Sequence, residues 1–311
     1  MPPDREIVRD IRDVTEGDFH GIDAVVHLAG LSNDPLGELN PALTYDINLD
    51  ASIRAAQLAR RAGVGRFVFA SSCSIYGAAG GAAPLTETAA INPVSAYAVS
   101  KARTEVALAG LADDRFSPVF LRNATAYGVS ARMRLDLVLN NLMAFAHVTG
   151  SIRILSDGTP WRPLAHVEDI ALAALAAVTA PRDAVHAQAF NIGRNDANYQ
   201  VRDIAEAVRG QVPEAIVEII GEAGADPRSY RVDFTKALTQ LPNFRPRWTL
   251  EAGAEQLHRW FRDGGLGGGA FDSRHFVRLK QIRHLREIGE IDEALRRHRQ
   301  LVGRKAEAER S

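Results

Sequence analysis

The chain contains Ser71-Ser72-Cys73-Ser74-Ile75-Tyr76-Gly77, followed after a gap by Tyr97-Ala98-Val99-Ser100-Lys101. Directly before the first segment, Arg66-Phe67-Val68-Phe69-Ala70 is a short apolar run that ends in small polar residues. This pattern is typical of a buried parallel strand. In open α/β sheets, ligands bind at the carboxyl ends of such strands. The stretch therefore predicts an α/β fold with a site where this strand ends.

Tyr97 and Lys101 are four residues apart, which places both side chains on one face of a helix. The lysine ammonium would stabilise the tyrosine phenolate and lower a pKa that starts near ~10. Tyr97 could then act as a general acid or base near neutral pH. Ser72, where the strand ends, could hold the substrate oxygen whose proton moves. Ser72, Tyr97 and Lys101 are thus the predicted catalytic residues of an alcohol oxidation. The alternative is an ordinary tyrosine–lysine pair on a helix surface.

Composition indicates a soluble globular protein and gives no reason to expect nucleic acid or a membrane surface as a partner. Of 311 residues, 46% are hydrophobic and 24% are charged, and the formal net charge is −1. We therefore expect no nucleic-acid and no membrane partner. The longest apolar stretch, 170–180, is too short to span a bilayer. A single cysteine, Cys73, excludes an internal disulfide and fits a reducing cytoplasmic location.

Ser-Ser-x-x-x-Tyr-Gly followed by Tyr-x-x-x-Lys resembles the extended short-chain dehydrogenase/reductase family, which includes NAD-dependent nucleotide-sugar epimerases, dehydratases and reductases. The resemblance extends to about Phe261. It implies a doubly wound (Rossmann-like) parallel sheet in a truncated dinucleotide-binding domain, residues 1–128 and about 163–193. It also implies a smaller substrate-binding part in residues 129–162 and 194–262. Residues 263–311 would be a glycine linker and a helical tail.

The resemblance implies NAD or NADP as the cofactor. A strand is expected at Glu6–Arg9, and another at Ile22–Gly30 that ends in a turn lining the cofactor. The other interpretation of His27 is a core histidine at the end of a strand, whose hydrogen bonds are made inside the protein. The cofactor-binding candidates are Asp10, Ile11, Leu28, Ala29, Gly30, Ala70, Tyr97 and Lys101.

The family opens with a strand, Gly-x-x-Gly-x-x-Gly and a helix, which hold the dinucleotide pyrophosphate. Nothing upstream of Asp10 resembles this unit, so we expect the sheet to be N-terminally incomplete by on the order of fifty residues. Either the sequence starts at an internal methionine, or a genuinely short protein binds the cofactor weakly or not at all. The retained catalytic residues favour the first explanation, because they have no use without a hydride acceptor.

The same resemblance suggests residues that contact a nucleotide-sugar substrate: Ser32, Asn33, Asn123, Thr125, Asn140, Asn141, Arg162 and Arg228. Arg231 is the second choice after Arg228 for the diphosphate. No metal site is expected at His166 and Asp169, because no third ligand has suitable spacing. Asp169 is instead expected to cap a helix from Ile170.

The predicted function is an NAD(P)-dependent epimerase or oxidoreductase acting on a nucleotide-linked sugar. The family's 4,6-dehydratases carry Asp-Glu where this chain has Cys73 and Ser74, so dehydration is not expected. A 4-ketoreductase and a non-catalytic sugar-nucleotide binding protein are the alternatives. Relatives are often dimers, so a homodimer is also expected as a partner.

Beyond the glycine linker, apolar residues every three positions predict an amphipathic helix that packs on the body or contacts another subunit: Phe276, Leu279, Ile282, Leu285 and Ile288.

Overall fold

The structure is a computed structural model that describes residues 3–32, 40–77, 83–221, 229–265 and 273–297. In chain order the strands are β1 (Ala24–His27), β2 (Arg66–Ser72), β3 (Ser117–Asn123), β4 (Thr125–Tyr127), β5 (Ser151–Ile154), β6 (Trp161–His166), β7 (Ala189–Ile192), β8 (Asn198–Gln200) and β9 (Ile216–Ile219). The helices are α1 (Pro41–Tyr45), α2 (Ala51–Arg61), α3 (Ala96–Ala109), α4 (Val138–Thr149), α5 (Val167–Thr179), α6 (Arg182–Val185), α7 (Val201–Gln211), α8 (Thr235–Gln240), α9 (Leu250–Trp260) and α10 (Arg278–Glu287).

The central sheet has the strand order β1-β2-β3-β7, and all of its pairs are parallel. Successive residues of β2 point to opposite faces. Phe67 and Phe69 pack in a cluster with residues of α2 and α3. Val68 packs on the other face, in a cluster that contains residues of α5. Helices therefore cover both faces of a parallel sheet, which confirms the predicted α/β, Rossmann-like fold.

The smaller sheets β4-β6-β8 and β5-β9 accompany α4, α7 and α9. One apolar cluster joins these helices, with Leu139 and Met143 from α4, Ile204 from α7 and Leu257 from α9, all fully buried. Helices α7 and α9 are amphipathic, and each of them buries its apolar face in this cluster. This cluster lies under the loop that follows β4 and therefore supports the residues predicted to bind substrate.

Two local predictions were wrong. Glu6–Arg9 forms no strand, and Val8 is 79% exposed, so this segment lacks the pairing and burial that stabilise strands. Asp169 does not cap a helix, because α5 begins at Val167 and His166 is its N-cap. Asp169 instead accepts hydrogen bonds from the backbone of Arg247 and Trp248, at 2.8 and 3.1 Å.

The predicted tail helix forms as α10 and packs on the body, one of its two expected roles. Phe276, just before it, packs against the cluster of the smaller sheets, and its carbonyl accepts a 3.2 Å hydrogen bond from the Leu135 amide. Arg296 forms a 2.7 Å ion pair with Asp13. No helix within the described ranges is long and apolar enough to cross a membrane.

Candidate active site

Tyr97 and Lys101 lie in the first two turns of α3, close to the carboxyl end of β2. The helix is capped by the Ser95 side chain, which accepts a 3.2 Å hydrogen bond from the Ala98 amide. The Lys101 ammonium lies 5.8 Å from the centroid of the Tyr97 ring. It also donates a 2.6 Å hydrogen bond to the Ala70 carbonyl of β2. The predicted tyrosine–lysine pair therefore lies on one helix face, anchored to the strand that carries Ser72.

Burial dominates the electrostatics of Lys101, which is only 6% exposed. Desolvation lowers the pKa of Lys101 to about 8, and the carboxylate of Glu105, one turn further along α3, opposes this shift. A buried ammonium beside a phenol stabilises the phenolate more than an exposed one, because less water screens the charge. Tyr97 itself is half-buried, so its ring remains accessible from one side.

Several polar atoms around Ser72 are buried and lack hydrogen-bond partners within the described structure: Ser71 Oγ, Ser74 Oγ and Asn123 Oδ1. Asn123 lies opposite Ser72 in the β2–β3 register. Ser72 is half-buried and accepts a 3.1 Å hydrogen bond from the Ser74 amide. Buried polar groups are normally paired, so this cluster is suited to contact a polar ligand.

Asn48 connects the loop after β1 to α3. It lies in a π-helical segment, Asp46–Asp50, of the kind that often occurs at functional sites. Its side chain accepts from the Leu31 amide at 2.7 Å, donates to the Leu31 carbonyl at 3.0 Å and reaches Ser100 Oγ at 3.4 Å. A Cβ on Gly30, where φ is +153°, would come within 2.9 Å of Asn48 Oδ1. Glycine at position 30 is therefore needed for this close approach.

Four of the residues predicted to bind the cofactor line one cavity of about 750 Å³: Asp10, Ile11, Leu28 and Ala29. Apolar residues of the C-terminal segment, Ile282, Leu285, Ile291 and Leu295, also line it. The Asp10 carboxylate is bound by Arg12, at 2.7 Å from Nη2 and 2.9 Å from Nε, and this contact lowers the pKa of Asp10. Sequence analysis missed Arg12, whose buried guanidinium also reaches Asp46 at 3.0 Å.

His27 is a core histidine with a hydrogen-bond partner. Its Nε2 lies 2.8 Å from Ser52 Oγ, and its ring stacks against Phe67 and Phe69 with centroid distances of 5.6 and 5.9 Å. Burial lowers the pKa of His27 to about 4, with a smaller contribution from the charge of Lys101.

Replacing His27 with glutamine is expected to reduce the loss of stability in acid. The unfolded histidine takes a proton near pH 6.5, and the folded one only near about pH 4. Between these values the unfolded chain binds one more proton, so falling pH removes up to about 3 kcal/mol of stability through this group. Urea unfolding at about pH 7 and about pH 4.5 measures the difference. The exposed His20→Gln variant is the control, and equal acid sensitivity in wild type and His27→Gln would contradict the assignment.

The predicted substrate residues fall into different environments. Asn33 and Arg228 lie outside the described residues. Asn140 is buried in α4, and both of its amide atoms bind backbone, at Gly128 (3.1 Å) and Arg134 (2.9 Å). The side chain of its half-buried neighbour Asn141 donates to the Leu135 carbonyl at 2.8 Å.

The other predicted substrate residues are half-buried. Thr125 begins β4, and Arg162 lies on β6, where its Nη1 donates to the Trp161 carbonyl at 2.9 Å. Arg231 stacks its guanidinium over the Trp161 ring at 5.2 Å. Ser32 is contacted by two arginines that sequence analysis did not select, Arg134 and Arg278.

A buried ionic network behind the site was also missed. Arg122 of β3 binds the Glu105 carboxylate through Nη2 at 2.7 Å and Nε at 3.2 Å, and both side chains are less than 10% exposed. Arg122 also donates to Tyr76 Oη at 3.1 Å, and Tyr76 donates to Asn191 at 2.7 Å. The spacing of Glu105, four residues after Lys101, was the available sequence signal. The network ties α3 to β3 and to the Ser-Ser-x-x-x-Tyr-Gly segment.

The residues directly after Ser72 offer no acid or base. Cys73 is 1% exposed, and its thiol donates a hydrogen bond to the Arg122 carbonyl at 3.1 Å. Burial raises the pKa of Cys73, so the thiol stays protonated near neutral pH. A hydroxyl occupies the next position, Ser74. These contacts agree with the expectation that the site is not built for a dehydration that needs carboxylates here.

Residues 8–193, more than half of the chain, match the model of the NAD dependent epimerase/dehydratase family. The chain belongs to this family. It is 26% identical to a UDP-glucuronate 4-epimerase from Thermodesulfobacterium geofontis, over 78% of this chain and 74% of that protein. It is 30% identical to a UDP-glucose 4-epimerase from Neisseria meningitidis serogroup A, over 63% of this chain. The match spans only 61% of the Neisseria protein.

The solved structure of MoeE5 in complex with UDP-glucose and NAD superposes on this family member with a TM-score of 0.72 at 26% identity. The superposition covers 84% of this chain and 87% of MoeE5. Membership in a family of NAD-dependent enzymes acting on nucleotide sugars agrees with the resemblance found in the sequence.

Proposed function

We propose that this protein is an NAD-dependent epimerase that inverts a ring carbon of a nucleotide-linked sugar. The observation that carries the proposal is the buried Lys101 ammonium, 5.8 Å from the Tyr97 ring and bound to the strand that ends in Ser72. A desolvated ammonium favours the phenolate form of a neighbouring tyrosine, and a phenolate is suited to accept a proton from a sugar hydroxyl. The missing carboxylates at Cys73 and Ser74 favour epimerisation over dehydration.

In this proposal Tyr97 acts as a phenolate that the Lys101 ammonium stabilises, and it becomes a neutral phenol when it takes the proton from the sugar hydroxyl. Ser72 donates a hydrogen bond to the same sugar oxygen and so fixes it beside Tyr97. NAD, when bound, supplies the hydride acceptor that turns the carbinol into a ketone and then the hydride donor for its return. Return of the hydride to the opposite face of the ketone would invert the carbon, and Tyr97 would give the proton back to the sugar oxygen.

The residues that would hold NAD fit its two ends. Lys101 and Ala70 lie at the end of β2, beside the orphaned polar atoms of Ser71 and Asn123, where the nicotinamide ribose would bind. At the other end, the cavity of about 750 Å³ presents four predicted cofactor contacts, Asp10, Ile11, Leu28 and Ala29, and its volume is typical of ligand pockets. Two separate observations therefore support NAD. Buried polar atoms at the end of β2 lack hydrogen-bond partners within the described structure, and the cavity has the volume of a ligand pocket.

For the substrate we propose contacts from Asn123, Thr125, Asn141 and Arg162, which are half-buried. Asn140 is better suited to fixing the loop before α4, because both of its amide atoms already bind backbone. We propose the cytoplasm as the location, which suits a reduced Cys73.

Two measurements test the function. Calorimetric titration with NAD⁺ and NADH should show binding, and NMR of UDP-glucose or UDP-glucuronate incubated with protein and NAD⁺ should show the 4-epimer accumulating. Epimer formation without net cofactor consumption supports the proposal. Sugar-nucleotide binding without NAD binding at millimolar cofactor would instead identify a binding protein, and net consumption of NADH with a 4-keto sugar would identify a reductase.

A further inference from the structure

Two arginines from distant parts of the chain meet at Ser32. Arg134, in the loop before α4, places Nη1 at 3.2 Å from the Ser32 carbonyl and 3.4 Å from its hydroxyl. Arg278, the first residue of α10, places Nη1 at 2.8 Å from the same hydroxyl. The two guanidinium groups thus share one serine side chain, although they are far apart in sequence.

Among the described residues, the positive charges around Ser32 outnumber the negative ones. Arg134 is paired with Asp136, at 2.8 and 2.9 Å, and this pair is mostly buried. Arg278 has no carboxylate partner among the described residues, and Arg132 is exposed nearby. Partial burial and then the charge of Arg134 lower the pKa of Arg278, with Arg132 adding to the effect and Asp136 opposing it. Like charges held together in this way favour an anion between them.

Ser32 is coupled to the candidate catalytic helix through one intervening side chain. It follows Leu31, whose backbone amide and carbonyl both bind Asn48. Asn48 in turn contacts Ser100, the neighbour of Lys101 on α3. Because β1 and β2 are parallel, the loop that carries Ser32 leaves the sheet at the same edge as Ser72. A ligand held by Tyr97 and Ser72 therefore has Ser32 on its side of the molecule.

We propose that Ser32, Arg134 and Arg278 form an anion-binding subsite for an oxyanion group of the nucleotide-sugar substrate. The group is a carboxylate of the sugar or a phosphoryl group of the nucleotide, both of which planar guanidinium donors bind with charge-assisted hydrogen bonds. The inference rests on the proposed function, since it concerns the same substrate. It adds that the C-terminal helix, through Arg278, takes part in selecting that substrate.

The test compares the binding of UDP, UDP-glucose and UDP-glucuronate to the full chain and to Arg278→Gln, by calorimetry. If the subsite holds a sugar carboxylate, Arg278→Gln should weaken UDP-glucuronate binding roughly ten- to hundredfold and leave UDP and UDP-glucose unchanged. If it holds a phosphoryl group, all three ligands should weaken by a similar factor. Arg278→Lys, which keeps the charge, should recover part of the affinity.

Arg283→Gln is the matched control, because it removes the same charge from an exposed position on the same helix. Thermal melting of each variant checks that the fold is retained. Unchanged affinity of Arg278→Gln for all three ligands, or an equal loss in Arg283→Gln, would overturn the subsite while leaving the proposed function standing. A wild-type chain that binds none of the three would remove both.

Discussion

Replacing Tyr97 with phenylalanine is expected to lower turnover of a nucleotide sugar by about 10²- to 10⁴-fold, the usual contribution of a general acid–base group. The variant loses only the hydroxyl, while the ring stays beside the Lys101 ammonium. The proton of the sugar alcohol then has no acceptor at this position. Binding of the nucleotide sugar should change little, because the substitution removes one hydroxyl and leaves the proposed contacts from Asn123, Thr125, Asn141 and Arg162 in place. The measurements are kcat by NMR of the epimer and Kd by calorimetry.

Tyr45→Phe is the control for this prediction. Tyr45 precedes the π-helical segment and packs its ring 5.7 Å from the Arg103 guanidinium, on the side of α3 away from Lys101. The Tyr45→Phe variant removes a hydroxyl from the same type of residue and should retain wild-type kcat. If Tyr97→Phe kept its turnover, or if its loss appeared only in the Kd, Tyr97 would not be the base.

The sequence was sufficient to predict the central strand and the helix that follows it. An apolar run closed by serines is typical of a buried strand that ends at a polar edge, and the four-residue spacing places Tyr97 and Lys101 on one face only in a helix. The strand β2 and helix α3 appear with these residues where the pattern requires them. Short-range patterns were reliable here because each one is imposed by backbone periodicity.

Contacts between distant segments could not be predicted in the same way. Arg278 reaches Ser32 across most of the chain, and Arg12 becomes a buried ion-pair partner of Asp46 because α2 and the π-helical segment pack beside it. A single sequence carries no periodic signal for such pairs. The strand predicted at Glu6–Arg9 does not form, for a related reason. A strand needs a neighbouring strand to pair with, and the β-propensity of its own residues does not show whether one is present.

Removing either partner of the buried pair Glu105–Arg122 is expected to cost about 3–5 kcal/mol of stability. Each single replacement, Glu105→Leu or Arg122→Met, leaves one charge buried without its counterion. The double variant Glu105→Leu/Arg122→Met should recover much of this loss, because it removes both charges and keeps the volume apolar. Urea unfolding of the four proteins gives a double-mutant cycle whose coupling energy measures the pair directly.

The exposed pair Glu255–Arg259 on α9 is the control, with both side chains 59% exposed and a nitrogen–oxygen distance of 2.6 Å. Replacing Glu255 with leucine should change stability by less than about 1 kcal/mol, since water screens this pair. Distance alone does not separate the two pairs, because Glu105 and Arg122 also approach to 2.7 Å. Burial does, so equal costs at both sites would show that the pair between α3 and β3 does not behave as a buried ion pair.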